Sequence, residues 1–282
     1  MDKERIRQLR LTAQELRLIG LRMVENSRSG HIGGAFSLSE ILSVLYFEKM
    51  NIRPNEPRWD GRDRLVMSKG HATVALYAAL AHRGFFPEED LKGFRKIDGY
   101  LSGHVEMNHV PGVDMSTGSL GQGLSAALGI AVGAKIKGQD FTTYAIVGDG
   151  ELQEGQIWEA VMYAGAHNMA NLVIIVDYNK VQLEMNVCDM FGGGTLADKF
   201  TSFGLNVVEP DGHDVAALSD AFDKAKATRD KPTVVIADTV KGKGVSFMEN
   251  VFKWHGKTPT DEEFKLAFAE LEKTRKELEA TA

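Results

Sequence analysis

Two short polar sequences each end an apolar run, and their spacing constrains the fold more than any other feature of the chain. Gly148-Asp149-Gly150 follows one run and Asp177-Tyr178-Asn179 ends another, so that Asn179 comes 30 residues after Asp149. A β-strand, a crossover helix and a second parallel strand need about 30 residues. Because the carboxyl ends of neighbouring parallel strands meet at one edge of a sheet, the two side chains are expected to lie close together.

The flanking sequence supports this strand-helix-strand unit. Thr142 to Val147 and Leu172 to Val176 are short runs rich in β-branched residues, whereas Glu154 to Asn168 has the spacing of an amphipathic helix. Strands and helices alternate along the rest of the chain, with short connections. The sequence therefore predicts one domain over residues 1–282 with an α/β fold, in which a doubly wound, mainly parallel sheet carries helices on both faces.

Capping patterns and apolar periodicity predict the remaining elements. Ser37 and Glu40 form a capping-box pattern before a helix at 41–47, and Thr260 and Glu263 form another before the last helix. The other predicted elements are a first helix around 6–23, helices at 72–82, 121–137 and 215–228, strands at 65–67, 206–208 and 233–238, surface loop with a short helix at 84–109, and a glycine-rich turn at 191–195.

Charge and composition exclude several classes of protein. The net charge of −6, from 39 acidic and 33 basic residues, argues against a general nucleic-acid or acidic-membrane surface. The charged first seventeen residues do not resemble a signal peptide, and the longest apolar stretch, 72–81, is too short to span a bilayer. The single cysteine, Cys188, fits a reducing compartment, so a cytoplasmic protein is predicted.

The paired tripeptides suit a hard metal ion. Carboxylate and amide oxygens are ligands that Mg²⁺ accepts, with water and phosphate oxygens filling the remaining positions. The alternative is that both tripeptides are ordinary turns, since glycine, aspartate and asparagine dominate turns for local reasons.

Four of the eight histidines lie in glycine-bearing loops: His31, His71, His104 and His255. Neighbouring glycines allow close backbone approach to a ligand, so the set predicts a cavity suited to proton transfer and anion recognition. Hydrogen-bonded loop histidines are the alternative for each one singly. A zinc site is disfavoured, because no two of the four have close ligand spacing and no cysteine joins them.

Two further loops carry groups that can meet an anion. The glycine-rich run at 116–123 precedes a small-residue helix whose N-terminus could hold a polar or anionic ligand, although a structural turn is an equal alternative. Lys241 and Lys243 add cations near His255, and the alternative for them is a solvated, exposed loop.

These motifs, in this order from about His31 to Lys257, resemble the amino-terminal half of transketolase. The resemblance implies a thiamine diphosphate-binding domain whose cofactor diphosphate is held through Mg²⁺, or through Ca²⁺ or Mn²⁺ in its place. The implied metal ligands are Asp149, Asn179 and the main-chain carbonyl of Val181. The implied cofactor-binding residues are His71, Gly118, Leu120, Gly148, Asp149, Gly150, Glu151, Asn179 and His255. The implied catalytic residues are His31, His104 and His255, of which His31 and His104 would face the sugar.

The resemblance also implies a reaction and a partner. Transketolases transfer a two-carbon ketol unit from a ketose, often a phosphate, to an aldose, and full-length members continue into pyrimidine-binding and carboxy-terminal domains. This chain ends at Ala282, so a separate carboxy-terminal transketolase subunit is expected in an α2β2 assembly, where it supplies the glutamate that activates the aminopyrimidine. The capped last helix and its charged tail favour a natural chain end over a truncated chain.

Other details bear on the subunit contact and the substrate. Glu154 and Glu159 resemble subunit-interface glutamates of the family, with solvated helix carboxylates as the alternative. Ile32 and Val105 replace residues that are often proline, and the segment Leu183 to Asp189 lacks the expected small residues. The alternatives within enzymes are a deoxyxylulose phosphate synthase or a 2-oxo acid dehydrogenase subunit. A non-catalytic cofactor-binding scaffold is the alternative from another class.

Overall fold

Five parallel strands form one sheet at the centre of the molecule, in a computed structural model that describes residues 1–183, 185–187 and 194–280. The strands are β1 (Arg64–Met67), β2 (Thr143–Gly148), β3 (Leu172–Tyr178), β4 (Asn206–Val208) and β5 (Thr233–Asp238). Their order is β1-β2-β3-β5-β4, and every paired strand is parallel to its neighbour. The predicted parallel α/β fold is confirmed.

The helices connect these strands and flank the sheet. They are α1 (Lys3–Ser27), α2 (Gly33–Phe36), α3 (Ser39–Val44), α4 (Thr73–Arg83), α5 (Gln122–Lys137), α6 (Gly155–Ala166), α7 (Leu196–Ser202), α8 (Val215–Ala227) and α9 (Asp261–Ala280). A π-helical turn over Leu45–Lys49 extends α3, and 3₁₀ turns cover Gly70–Ala72, Glu88–Gly93, Gly150–Gln153 and Phe252–His255.

Alternating side chains of each strand pack into two hydrophobic cores, one on each face of the sheet. Tyr144 and Ile146 of β2 lie in the core formed with α1, α3, α4 and α8. Ala145 and Val147 of the same strand lie in the core formed with α5 and α6. Because successive strand residues point to opposite faces, a strand buried on both sides reads as a continuous apolar run. Helices on both faces, as predicted, follow from this pattern.

The two capping predictions had different outcomes. The Thr260 hydroxyl accepts from the Glu263 N–H at 3.2 Å, and the Glu263 carboxylate accepts from the Thr260 N–H at 2.8 Å, which is the predicted capping box of α9. The prediction at Ser37 was wrong: Leu38 precedes α3 without a side-chain cap, and the Ser37 hydroxyl donates to Asp177 instead. Glu40 is bound by Arg17 and His213.

Sequence analysis did not predict α2 or α7. Elsewhere the predicted bounds lie within a few residues of the observed ones, except that α1 extends to Lys3 and Ser27. Residues 191–193 of the predicted glycine-rich turn, and Cys188, lie outside the described residues.

The register of the central strands brings the two polar sequences together. Gly148 of β2 pairs with Asp177 of β3, so that Asp149 and Asn179 follow neighbouring strand ends. In the part of the chain that the structure describes, none of the helices has the length and apolar character needed to cross a bilayer.

Candidate active site

Loops at the carboxyl edge of β1, β2 and β3 surround a cleft of about 840 Å³. The cleft contains most of the residues singled out from the sequence, and they are His31, His71, Gly118, Leu120, Gly148, Asp149, Gly150, Glu151, Asn179, Val181 and His255. His104 is not among the residues that line it. Lys69 and Lys241 also line the cleft, and neither was assigned a buried position from the sequence.

Asp149 and Asn179 are buried at the base of the cleft and held by neighbouring backbone groups. The Asp149 carboxylate accepts hydrogen bonds from the N–H groups of Gly150, at 2.8 Å, and of Lys180. The Asn179 side-chain carbonyl accepts from the Val181 N–H at 3.2 Å. Burial, together with the neighbouring charge of Asp177, raises the pKa of Asp149 to about 7. A bound cation would favour the ionised carboxylate here.

A buried lysine–aspartate pair lies beneath these groups. Lys69 donates to the Asp177 carboxylate and to the Gly34 carbonyl, the latter at 2.9 Å. Asn179 also donates to Asp177, at 2.9 Å. Burial raises the pKa of Asp177, but the charge of Lys69 and the hydrogen bonds outweigh it and leave the pKa lowered. The pair fixes the ends of β1 and β3 relative to α2.

Lys241 is a second buried cation, only 2% exposed. Its ammonium group donates to the Val181 carbonyl at 3.0 Å and lies 3.0 Å from the Nδ1 atom of His255. Burial, and then the charge of Lys69, lowers the pKa of Lys241 to about 8. The alternative of two solvated lysines is therefore wrong for Lys241, whereas Lys243 lies 3.5 Å from Glu249 in a more exposed position.

The four histidines from separate glycine-bearing loops lie together around His31. Its ring centroid lies 5.3 Å from that of His71, 5.7 Å from that of His255 and 6.0 Å from that of His104. The rings of His71 and His255 are 5.0 Å apart. The Nδ1 atom of His31 is buried without a hydrogen-bond partner among the described residues, as expected of a group that meets a ligand.

Burial is the main reason that these histidines are neutral at neutral pH. It lowers the pKa of His31 to about 4, with the charge of Arg95 next in importance. Burial and Lys241 lower the pKa of His255 to about 4, and burial and Lys69 lower that of His71 to about 2. The pKa of His104 is also lowered, by burial and then by Arg95. Each neutral ring has one N–H donor and one acceptor nitrogen.

Glu151 joins three segments at the wall of the cleft. Its carboxylate accepts from the Ser68 hydroxyl, from the Gly121 N–H at 2.9 Å and from the Gly148 N–H at 3.0 Å. The Gly121 N–H lies at the start of α5, where the sequence allowed a ligand anion, so a protein carboxylate binds there. Burial raises the pKa of Glu151. Its prediction as a cofactor contact stays a prediction.

A buried chain of polar groups holds the loop that carries Lys241. Arg17 donates to Glu40, and the Nδ1 atom of His213 lies 2.9 Å from the same carboxylate. The Nε2 atom of His213 accepts from the Val240 N–H at 2.8 Å, which fixes a neutral tautomer with its proton on Nδ1. Sequence analysis missed this chain, because its members come from α1, α3 and two later loops.

The donor set fits a metal-bound diphosphate. Asp149, Asn179 and the Val181 carbonyl present oxygens of the kind that Mg²⁺ binds, and an ammonium group already satisfies that carbonyl. Among the described residues, no group of three or more His, Cys, Asp or Glu side chains is arranged to hold a metal ion. A metal here would therefore use one carboxylate with amide and carbonyl oxygens.

Comparison with known proteins identifies the family. The family described as the transketolase thiamine diphosphate-binding domain matches residues 9–276. The chain belongs to the transketolase family. It corresponds to the amino-terminal, thiamine diphosphate-binding part of transketolase, as the sequence motifs predicted.

Relatives of similar length are named as transketolase subunits. A 6-deoxy-6-sulfo-D-fructose transketolase subunit of a Clostridium species is 43% identical over 264 residues, which cover 94% of this chain and 93% of that protein. An apulose-4-phosphate transketolase subunit of Phocaeicola vulgatus is 38% identical over 271 residues, which cover 96% of each chain. The structure of Campylobacter jejuni transketolase superposes with a TM-score of 0.88 at 36% identity over 94% of this chain, which spans 42% of that one.

The structure also shows the exposure of several residues that the resemblance to transketolase singled out. Glu154 and Glu159 are exposed, which is compatible with either a subunit contact or a solvated helix face. Ile32 and Val105 are buried in the core beside the histidine loops. Leu183 and Met185 line the transketolase cleft and are 65% and 38% exposed, whereas 184, 188 and 189 lie outside the described residues.

Proposed function

We propose that this chain is the cofactor-binding half of a thiamine diphosphate- and Mg²⁺-dependent transketolase, which transfers a two-carbon ketol unit from a ketose phosphate to an aldose phosphate. The observation that carries the proposal is the convergence of Asp149, Asn179 and the Val181 carbonyl at two strand ends, in the same cleft as the neutral histidines His31, His71 and His255. A pure scaffold would need the diphosphate site but not the His31 and His104 pair.

The charges in the cleft explain why a metal ion is needed. When all are ionised, the carboxylates of Asp149 and Glu151 that line the cleft are balanced by the ammonium groups of Lys69 and Lys241. The lining therefore offers a diphosphate no net positive charge. A divalent cation held by Asp149, Asn179 and the Val181 carbonyl would supply that positive charge, and Lys241, which donates to the same carbonyl, could then bind an anion.

The histidines would handle protons and hydroxyl groups. Thiamine diphosphate, when bound, supplies the carbanion chemistry of ketol transfer. His31 has a buried Nδ1 atom without a partner, so it can hydrogen-bond a substrate hydroxyl or carbonyl oxygen. His104 lies beside it and can bind the same substrate. His255 and His71, whose rings are 5.0 Å apart, would contact the cofactor.

A separate carboxy-terminal subunit would complete each site. The Clostridium and Phocaeicola relatives of matching length are named as subunits, which supports a split enzyme. The outer faces of α5 and α6 carry Ile136, Met162 and Tyr163, which are 80%, 54% and 43% exposed, and such apolar surface is suited to assembly. Glu154 and Glu159 belong to the same region, which we assign to pairing in an α2β2 cytoplasmic enzyme.

The substrate is proposed to be an anionic sugar. The relatives are named for 6-deoxy-6-sulfo-D-fructose and for apulose 4-phosphate, so both sulfonated and branched phosphorylated sugars belong in the test set. The histidines of the cleft would bind the ketol end of the sugar. The partner subunit would contact the phosphate or sulfonate group at the other end of the sugar.

The test compares the chain alone with the chain purified together with its partner. The isolated chain is expected to bind thiamine diphosphate and Mg²⁺ weakly and to show no ketol transfer, whereas the co-purified complex transfers ketol units from ketose phosphates to aldose phosphates. Ketol transfer at full rate by the isolated chain would contradict the need for a partner. A complex without ketol transfer from any ketose phosphate or sulfonate would contradict the proposed reaction.

A further inference from the structure

Arg95 adopts a backbone conformation that is costly for a residue with a side chain. Its φ angle is 56°, in the left-handed region, just after the 3₁₀ turn at Glu88–Gly93. The Arg95 N–H donates to the Leu101 carbonyl at 2.8 Å, which closes a loop over residues 95–101. A non-glycine residue persists in this region only where its surroundings determine its position.

The guanidinium group of Arg95 joins two loops that are far apart in the sequence. Its Nη1 atom donates to the Ser29 hydroxyl at 3.0 Å, and its Nη2 atom donates to the Gly103 carbonyl at 3.1 Å. Ser29 lies two residues before His31, and Gly103 directly precedes His104. One planar group therefore joins the two loops that carry His31 and His104.

The absence of a side chain at Gly103 leaves room for the guanidinium group of Arg95. A Cβ atom at position 103 would lie 2.6 Å from the Cζ atom of Arg95, closer than real Cβ contacts allow. The glycine thus permits the guanidinium group to approach the backbone before His104 closely. The charge of Arg95 also contributes, after burial, to the lowered pKa values of His31 and His104.

We infer that Arg95 is a positioning residue, whose bridge between Ser29 and Gly103 sets the separation of His31 and His104 so that both rings meet one substrate. This inference rests on the proposed function, because it assigns the histidine pair to the sugar. It requires no contact between Arg95 and the substrate.

The activity test uses the complex with its partner subunit. Arg95→Met is expected to lower kcat about 100-fold without changing the affinity for thiamine diphosphate, because small displacements of positioned groups have effects of this size. Arg95→Lys should recover part of the loss, since an ammonium group can retain one of the two contacts. Arg53→Met, at an exposed arginine that lies over Trp59, is the matched control and should leave kcat unchanged. Unchanged kcat in Arg95→Met would overturn the inference.

Ser29→Ala tests the bridge with a smaller change. It removes the hydroxyl that accepts from Arg95 and should lower kcat about 10-fold, in line with the loss of a charged hydrogen bond. In the Arg95→Met background the same change should have no further effect, because the two residues act through one contact. Additive losses would show that Arg95 and Ser29 act independently, and would also overturn the inference.

A second readout does not depend on ketol transfer. Ring ¹H–¹⁵N signals of His31 and His104 in the full chain, assigned with His31→Gln and His104→Gln, should both shift in Arg95→Met and in Ser29→Ala, while the signal of the surface residue His109 stays in place. Identical His31 and His104 signals in wild type and variants would exclude the bridge. An inactive wild-type complex, by contrast, would refute the proposed function while these signals still decide the role of Arg95.

Discussion

Asp149 is the residue on which the candidate metal site depends most, because it is the one carboxylate in the proposed ligand set. Asp149→Ala is expected to weaken Mg²⁺-dependent binding of thiamine diphosphate by at least about 100-fold, since even changes beside metal ligands often cost 10–100-fold in affinity. Titration calorimetry of the full chain with and without Mg²⁺ measures the effect. Asp230→Ala, at an exposed aspartate, is the control. Equal affinity in wild type and Asp149→Ala would remove Asp149 from the ligand set.

His104 differs from the other histidines of the cluster, since it does not line the cleft although its ring lies 6.0 Å from that of His31. His104→Ala should therefore leave cofactor affinity unchanged and lower kcat of the assembled enzyme by about 100-fold, a usual effect of losing a proton-transfer group. His109→Ala, at a side chain that is 70% exposed, provides the matched control. Loss of cofactor affinity in His104→Ala would assign the residue to the cofactor instead.

Neutral histidines make the folded chain sensitive to acid. The pKa of His31 falls from its ordinary value of 6.5 to about 4 on folding, and that of His71 falls to about 2. The unfolded chain therefore binds more protons below pH 6.5, so this contribution to stability is complete above pH 6.5 and is lost as the pH falls toward 4. Urea unfolding at a series of pH values between 6.5 and 4 should show that the free energy of unfolding declines as the pH falls, and that this decline is shallower in His31→Gln. Parallel declines in wild type and variant would contradict the assignment.

At the scale of elements, the strands and long helices could be predicted because their signals are local. The 30-residue spacing of Asp149 and Asn179 predicted the β2-α6-β3 unit. The periodicity of apolar residues predicted α1 and α9. Ser37 shows the limit of such patterns. Its sequence satisfies the capping-box rule, but its hydroxyl binds Asp177, which lies 140 residues later. Tertiary partners of this kind are not visible from a short window.

His213 links three elements, so its replacement should affect more than one loop. His213→Leu removes the acceptor of the Val240 N–H and leaves the buried Glu40 carboxylate with Arg17 as its remaining side-chain partner. It is expected to reduce the free energy of unfolding by about 1–3 kcal/mol. Chemical denaturation measures this change. His82→Leu removes a surface contact with Glu88 and should change the same quantity by less than about 0.5 kcal/mol. Equal effects of the two substitutions would show that the buried chain of polar groups adds little to stability.

At the scale of the whole molecule, cofactor and metal should stabilise the fold together. A ligand at 100 times its dissociation constant stabilises the native state by about 2.7 kcal/mol. Because the two carboxylates that line the cleft offset its two ammonium groups, the diphosphate needs the charge of the metal ion. Thiamine diphosphate and Mg²⁺ together should therefore raise the melting temperature more than the sum of their separate effects. Thermal unfolding with each ligand, with both and with a chelator tests this coupling. If thiamine diphosphate raised the melting temperature by the same amount with and without the chelator, the proposed coupling between cofactor and metal would be refuted.

The histidine loops and the proposed metal ligands Asp149 and Asn179 could be predicted from the sequence, because glycines mark the loops and the spacing of two strand ends marks the proposed ligands. The buried cations could not. Lys69 and its partner Asp177 are 108 residues apart, and Lys241 meets a carbonyl 60 residues earlier. A lysine in a glycine-bearing loop is usually solvated, and only the assembled sheet shows which lysines are enclosed.

The histidine cluster can form only late in the folding of this chain. His31 follows the first helix and His255 precedes the last, yet their rings lie 5.7 Å apart in one cleft, beside a sheet whose every strand pairing is parallel. Parallel pairings join distant parts of a chain and form slowly. A chain still emerging from the ribosome before His255 cannot close the cleft, so capture of the cofactor reports that nearly the whole polypeptide has reached its native arrangement.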